Sequence, residues 1–185
     1  MRDALRYTSA GNDTSEQQIL ALFHSRPGGV VSGEEISGML GISRTAVWKH
    51  IKSLKELGYR IEAVPAVGYR LLSVPDLLLP AEIAAGLDVG TIGRQLVTFR
   101  EIDSTNECAF RMAEEGAAEG LVVLSEAQSR GKGRLGRQWE SPAGVNLYCS
   151  IVLRPKILPV QAVQLTFLSA LAVARAMESI TGLQP

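Results

Sequence analysis

The sequence predicts an α+β fold in two parts, and three observations carry that prediction. Three closely spaced helical patterns between residues 15 and 58 give way to period-two alternation that runs to residue 73. From residue 81 onward, short apolar strands alternate with helices. Between the parts, Ser73-Val74-Pro75-Asp76 to Pro80 holds two prolines, each of which removes a backbone donor and pushes the residue before it toward extended geometry. The organisation expected is a loose tail over 1–14, a first domain over 15–73, a linker over 74–80 and a second domain over 81–185.

Composition narrows the function before any motif does. A chain of 185 residues holds one or two domains. Its 19 Lys and Arg balance 19 Asp and Glu, so no whole-chain field steers it toward nucleic acid or membrane. The hydrophobic share of 46% suits a globular chain and is too high for a disordered one. The longest apolar stretch, Pro159 to Ala174, is interrupted by Gln161 and Gln164 and falls short of the ~20 residues of a membrane span. Residues 1–14 lack the apolar centre of a signal peptide. Cys108 and Cys149 stand 41 positions apart with no Cys-x-x-Cys, which argues against a disulfide scaffold and a Cys/His zinc site. A reduced, cytoplasmic protein with no membrane association and no metal site of its own is expected.

Charge is uneven along the chain. Residues 43–70 carry Arg44, Lys49, Lys52, Lys55, Arg60 and Arg70 against only Glu56 and Glu62. A second basic knot, Arg130, Lys132, Arg134 and Arg137, contains no acid. Two basic features in a neutral chain point to two separate anionic partners, although charge runs are often merely solvated.

In the first domain, Ser15 can cap a helix through Ile19, Leu20, Leu22 and Phe23 that stops before Pro27-Gly28-Gly29. Ser32 or Gly33 opens a second helix with Ile36, Met39 and Leu40 on one side. Gly41 makes a tight turn, and Ser43 caps a third helix from Arg44 to Leu57, ended by Gly58. Val47, Ile51, Leu54 and Leu57 share the arc of that helix expected to face the core, and Thr45, Trp48, Lys49 and Lys52 share the opposite one. A stripe of donors, cations and one indole suits a helix in the major groove, with Arg44 and Thr45 reading bases while Lys49 and Lys52 hold phosphates. The competing reading is a basic surface helix packed on something else. His50, near the edge of the core, is expected to pack. Residues 59–64 and 69–71 flank a Pro/Gly loop as a hairpin. Helix, helix-turn-helix and hairpin make a winged helix, with Arg60 and Arg70 set to touch backbone phosphates.

Beyond the linker, Ala81 to Leu87 predicts a short helix and Leu96 to Phe99 a strand. Ser104 with Glu107 forms a capping box opening a helix to Gly116, and capping alone would account for Ser104-Thr105-Asn106. Leu121 to Leu124 is an apolar strand, Asn146 to Leu153 a buried one, and Val160 to Ile180 a long helix ending at Gly182. Between them, Gly131, Gly133 and Gly136 satisfy Gly-x-Gly-x-x-Gly, but no helix starts inside the glycines and no acid stands about 20 residues on, so the dinucleotide-binding context is missing. A Walker loop fails too, because Lys132 precedes Gly133 and not Ser or Thr. What remains is a flexible cationic loop. Its glycines let backbone amides approach an anion, its arginines can grip phosphate with two donors, and Trp139 can stack on a base. A nucleotide or acyl-adenylate clamp and a plain basic surface loop both fit these residues. No Ser/His/Asp or Cys/His triad is available, since His24 and His50 both lie in the first domain.

Taken in order, the winged helix, Asp103-Ser104-Thr105-Asn106, Gln128, Gly131 to Arg137 with Trp139, Ser141-Pro142 and Asn146-Leu147-Tyr148 resemble the bifunctional biotin–protein ligase and biotin-operon repressor family (BirA type), over residues 16–182. The resemblance implies that the second part is the N-terminal half of a mixed-sheet, class II synthetase-like catalytic domain. It implies synthesis of biotinyl-5′-adenylate from biotin and Mg-ATP, then transfer of biotin to a lysine of the biotin carboxyl carrier protein of acetyl-CoA carboxylase. It also implies adenylate-dependent homodimerisation and repression at operator DNA, through Ser43, Arg44, Thr45, Trp48, Lys49, Lys52, Arg60 and Arg70. Ser104, Thr105, Asn106 and Gln128 would hydrogen-bond biotin, and Lys132, Gly133 and Arg134 would close over it. Gly131, Lys132, Arg134 and Arg137 would hold the adenylate phosphate while Trp139 stacks on adenine. Two departures stand out. Lys132 replaces the family's usual Arg, which keeps the charge and loses the fork. The family's later Lys-Trp-Pro-Asn-Asp segment has no counterpart before Pro185, so a fragment that cannot complete ligation alone is expected. The alternative is a winged-helix regulator whose second part senses a small effector without catalysis.

Overall fold

The computed structural model describes residues 5–7 and 15–184. Leu5–Tyr7 form a short strand, β1. This corrects the loose tail at those three positions; the rest of the tail lies outside the described residues.

Three helices follow. They are α1 (Ser15–His24), α2 (Gly33–Leu40) and α3 (Arg44–Glu56). The Ser32 hydroxyl accepts from the Glu35 amide and the Ser43 hydroxyl from the Ala46 amide, so each satisfies an orphan N–H of its helix. Ile19, Leu20, Phe23, Ile36, Val47, Ile51 and Leu54 bury their apolar faces together. Full burial of such side chains contributes about 1.5–3 kcal/mol each. Leu57 does not join them. It is 42% exposed, because the helix ends at Glu56 and Leu57 is its cap. His50 lies at the core edge, its Nδ1 2.7 Å from Glu16 Oε1.

The wing is the antiparallel pair β2 (Arg60–Val64) and β3 (Gly68–Ser73). Val31 adds a bridge to Tyr69 through two 2.8 Å backbone hydrogen bonds. Gly68 makes this possible: a Cβ there would sit 2.1 Å from the Val31 carbonyl oxygen.

The expected linker is partly core. Leu79 is buried with the first cluster, and α4 (Pro80–Ala85) packs on α1. Glu82 of α4 accepts from the Tyr59 hydroxyl at 2.8 Å and stands 3.2 Å from His24 Nε2. Burial, then the hydrogen bond and charge of Glu82, push the Tyr59 hydroxyl far above the usual tyrosine range. Ala81 of α4, expected at the start of the second domain, packs against the first cluster.

The next segment carries β4 (Gln95–Glu101), α5 (Thr105–Glu114), β5 (Leu121–Ser125), β6 (Gln128–Lys132), β7 (Gln138–Ser141) and β8 (Tyr148–Ile151). One mixed sheet runs β1-β4-β5-β8: β4 and β5 are parallel, and both outer pairs are antiparallel. The parallel pair needs a crossover, which α5 supplies. All five residues of β5 are buried, and Val97, Phe99, Ile102, Cys108, Ala109, Leu121, Val123 and Val152 form the second core. The strand expected as buried over 146–153 is shorter and half exposed. It ends the sheet with β5 as its one neighbour, leaving Cys149 and Ile151 exposed. A tie joins the two cores, since buried Glu126, just past β5, accepts from the Leu78 amide through its carboxylate.

Residues 153–185 form a second compact unit with a 3-10 turn, Pro159–Gln161, and α6 (Val163–Thr181), capped by Gly182 at φ +70. The span Pro159–Thr181 has 23 residues and holds an 18-residue window of mean hydropathy 1.4, long and apolar enough by length and composition alone to cross a membrane. This corrects the shorter stretch taken from sequence, because apolar residues continue past Arg175 to Ile180.

Candidate functional site

The cationic glycine segment is a β-hairpin, which corrects the flexible loop expected from its composition. β6 and β7 pair antiparallel with Gly131 opposite Trp139 and Lys132 opposite Gln138. The turn closes through the Gly133 amide, which donates to the Arg137 carbonyl at 2.7 Å. Two short polar strands had hidden under a run of cations and glycines. Gly131 is required by close approach: a Cβ would meet Ser141 Oγ at 2.7 Å and the Trp139 carbonyl oxygen at 2.8 Å.

The hairpin is anchored where α5 begins. The Ser129 amide donates to the Ile102 carbonyl and the Arg130 amide to the Asp103 carbonyl, both at 2.9 Å. Asp103 also accepts from the Ser104 amide at 2.8 Å and draws Arg111 and Arg130 to 3.8 and 3.9 Å. Ser104 caps α5, its hydroxyl 3.4 Å from the Glu107 amide. The reciprocal half of the capping box is not made, because the Glu107 carboxylate turns to Lys132 Nζ at 2.6 Å.

Between the helix start, the hairpin and β8 lies a cavity of about 400 Å³, lined by Ser104, Thr105, Asn106, Gln128, Lys132 and Trp139 among others. Its floor is a chain of hydrogen bonds. Gln128 Oε1 accepts from the Thr105 amide and hydroxyl, Gln128 Nε2 donates to Ser141 Oγ at 3.3 Å, and Ser150 donates to Thr105 Oγ1 at 3.0 Å. Trp139 stands 68% exposed at the rim. This arrangement orients amide and hydroxyl groups on one side, a cation on another and a flat indole at the mouth. Among the described residues it contains no nucleophile paired with a base.

Six of the residues expected in the site thus line one cavity. Gly131 is buried in the hairpin behind it, Gly133 closes the turn, and Arg137 is exposed beside that turn. Arg134 opens the turn Arg134–Gly136, and its side chain lies outside the described residues. The sequence pointed to no role for Ser150, to capping alone for Glu107, and to none for Asp103, Ser141, Asn146 and Tyr148 beyond the motifs they belong to. Tyr148 donates to the Pro142 carbonyl at 3.0 Å and accepts from Asn146 Nδ2 at 3.3 Å, which shapes the cavity wall. No apolar alternation across Gln138–Ser141 marks the second hairpin strand in the sequence.

On the first domain, Arg44, Thr45, Trp48, Lys49 and Lys52 are all exposed on α3, and Arg60 is exposed on the wing. Arg44 pairs with Glu34 at 3.0 Å, and Lys52 lies 5.9 Å from the Trp48 ring centre. Arg70 is half-buried and faces Glu62 at 3.7 Å, so it is already partly engaged. Ser43 is used as the helix cap.

Residues 15–70 match an HTH domain, and residues 98–185 match the Biotin/lipoate A/B protein ligase family. The two matches stand in one chain, the HTH domain in front of the ligase-family segment. The Bifunctional ligase/repressor BirA of Bacillus spizizenii is 40% identical over 171 residues, 92% of this chain and 53% of that protein. The Bifunctional ligase/repressor BirA of Escherichia coli K12 is 35% identical over 149 residues, 80% of this chain and 45% of that protein. A solved Aquifex aeolicus biotin protein ligase in complex with biotin and ATP is 37% identical, covering 49% of this chain and 37% of that chain, with a TM-score of 0.42. The chain spans about half the length of the curated relatives it matches. The ligase-family match covers the whole cavity and its hairpin.

Proposed function

We propose that this chain carries the DNA-reading module and the biotin- and adenylate-contacting face of a biotin–protein ligase that also represses biotin synthesis genes. The observation that supports this is the one cavity shared by Ser104, Thr105, Asn106, Gln128, Lys132 and Trp139. The ureido group of biotin needs donors and acceptors in fixed directions, and the Thr105–Gln128–Ser141 chain holds such groups in place. The biotin carboxylate would attack the α-phosphate of ATP, releasing pyrophosphate and leaving biotinyl-5′-AMP. A lysine amine of the biotin carboxyl carrier protein would then attack the acyl carbon and release AMP. Neither step needs an enzyme nucleophile. Positioning of the carboxylate against the phosphorus and stabilisation of charge on the phosphate supply the rate.

In this reading the segment of Gly131, Lys132, Gly133, Arg134 and Arg137 would hold the adenylate phosphate, with Gly131 supporting it from within the hairpin, and Trp139 would stack on adenine. Mg²⁺ would enter with the nucleotide as part of the substrate. Arg44 and Thr45 read operator bases, Ser43 sets the helix start, and Trp48, Lys49, Lys52, Arg60 and Arg70 position the domain on the backbone. Adenylate occupancy would favour a homodimer on DNA in the cytoplasm. Limited proteolysis across residues 130–139, with and without biotinyl-5′-AMP, tests the ligand part. Protection by the adenylate is expected, and equal cleavage in both samples would overturn it.

A further inference from the structure

We propose that Glu107 sets the charge of the ligand cavity by holding Lys132, so that an anionic ligand must displace a carboxylate to reach the ammonium. This rests on the biotin reading above and deepens it.

Lys132 is a cation lining the cavity, and its Nζ donates to Glu107 Oε1 at 2.6 Å. Glu107 sits on the first turn of α5, where a carboxylate is favoured by the helix dipole and would ordinarily fold back onto the cap amide. Here it is turned toward the hairpin. Both side chains are solvated, 62% and 43% exposed, so the pair itself adds little stability. Its consequence is electrostatic: the one lysine of the hairpin is neutralised at the cavity, and a further negative charge stands near any carboxylate or phosphate that enters. An ammonium is a point charge that can swing between partners without the directional demands of a guanidinium fork, which makes the exchange from Glu107 to ligand feasible. Glu107 is thus a positioning and selectivity residue, acting through Lys132.

The test is calorimetric titration of the chain and its Glu107→Gln variant with biotin, whose valeryl group is an anion, and with biotin amide, the neutral isostere. A unit charge about 4 Å away in a water-like medium changes affinity roughly fivefold. Glu107→Gln is therefore expected to bind biotin about fivefold more tightly, an advantage that shrinks in high salt, and to bind the amide within about twofold of the parent. Unchanged or weaker biotin binding, or equal tightening of both ligands, would overturn the charge-setting role while leaving the biotin reading intact. A parent chain that binds neither ligand would instead defeat the biotin reading, and this inference with it.

Discussion

Gln128 Oε1 lies 2.8 Å from the backbone nitrogen of Thr105 and 3.1 Å from its hydroxyl, so one amide oxygen from a hairpin strand satisfies two donors at the start of a helix. This joins the two elements that bear the cavity. Replacing Gln128 by Met keeps the volume and removes the acceptor. The Thr105 amide is then left without a partner, at a cost of about 1–3 kcal/mol. Urea denaturation should show a lower midpoint with an unchanged slope, and biotin binding should weaken in the same variant.

Gly131→Ala should be more damaging than a surface glycine change. Its Cβ would press on the Ser141 hydroxyl and the Trp139 carbonyl, both under 3 Å, and the carbonyl cannot swing away as a side chain can. Overpacking of this kind costs about 1–3 kcal/mol. Amide exchange in residues 138–141 should speed up, whereas Gly136→Ala, with nothing near its Cβ position, should show only the strain of its positive φ.

On α3, Lys49→Ala should weaken DNA binding about equally across sequences and reduce the magnitude of the log–log salt slope by about 0.9, as expected for one lost phosphate contact. Arg44→Ala should instead relax sequence preference, since Arg44 opens α3, the helix proposed to read operator bases. Fluorescence anisotropy at several salt concentrations measures both. A Lys49→Ala slope equal to the parent's would remove Lys49 from the interface.

Tyr59 gives the protein a pH dependence at the alkaline end. Its folded hydroxyl is held well above the ordinary value of about 10. Above pH 10 the unfolded chain therefore loses this proton while the folded one keeps it, and the difference draws the equilibrium toward unfolding. Stability should be insensitive to Tyr59 below about pH 9 and fall as pH rises beyond 10. Tyr59→Phe should flatten that decline in thermal melts, at the cost of one donor to Glu82.

The winged helix was legible residue by residue because its signals are local. Ser32 and Ser43 cap the helices they precede, and Val47, Ile51 and Leu54 repeat at the helical period. Leu57 shows the limit of periodicity, which continues past the point where a helix stops being covered. The glycine segment was harder, since Gln128–Lys132 and Gln138–Ser141 carry no apolar alternation to mark them as strands. Their pairing is stabilised by backbone hydrogen bonds and by the fit of Gly131, which composition does not display.

Residue order alone determined the caps at Ser32, Ser43 and Ser104, the basic stripe on α3 and the chemical types gathered around Gln128, because each depends on near neighbours or on a periodic face. Tertiary structure decided where α4 belongs, that the cationic segment is a hairpin, and that Glu107 meets Lys132 and not its own helix cap. The first and last of these depend on segments 23 to 58 residues apart coming within hydrogen-bond reach, as Thr105 does with Gln128 and His24 with Glu82, whereas the hairpin pairs residues 6 to 13 apart. Such encounters are set by the packing of two cores, and no short-range pattern encodes them.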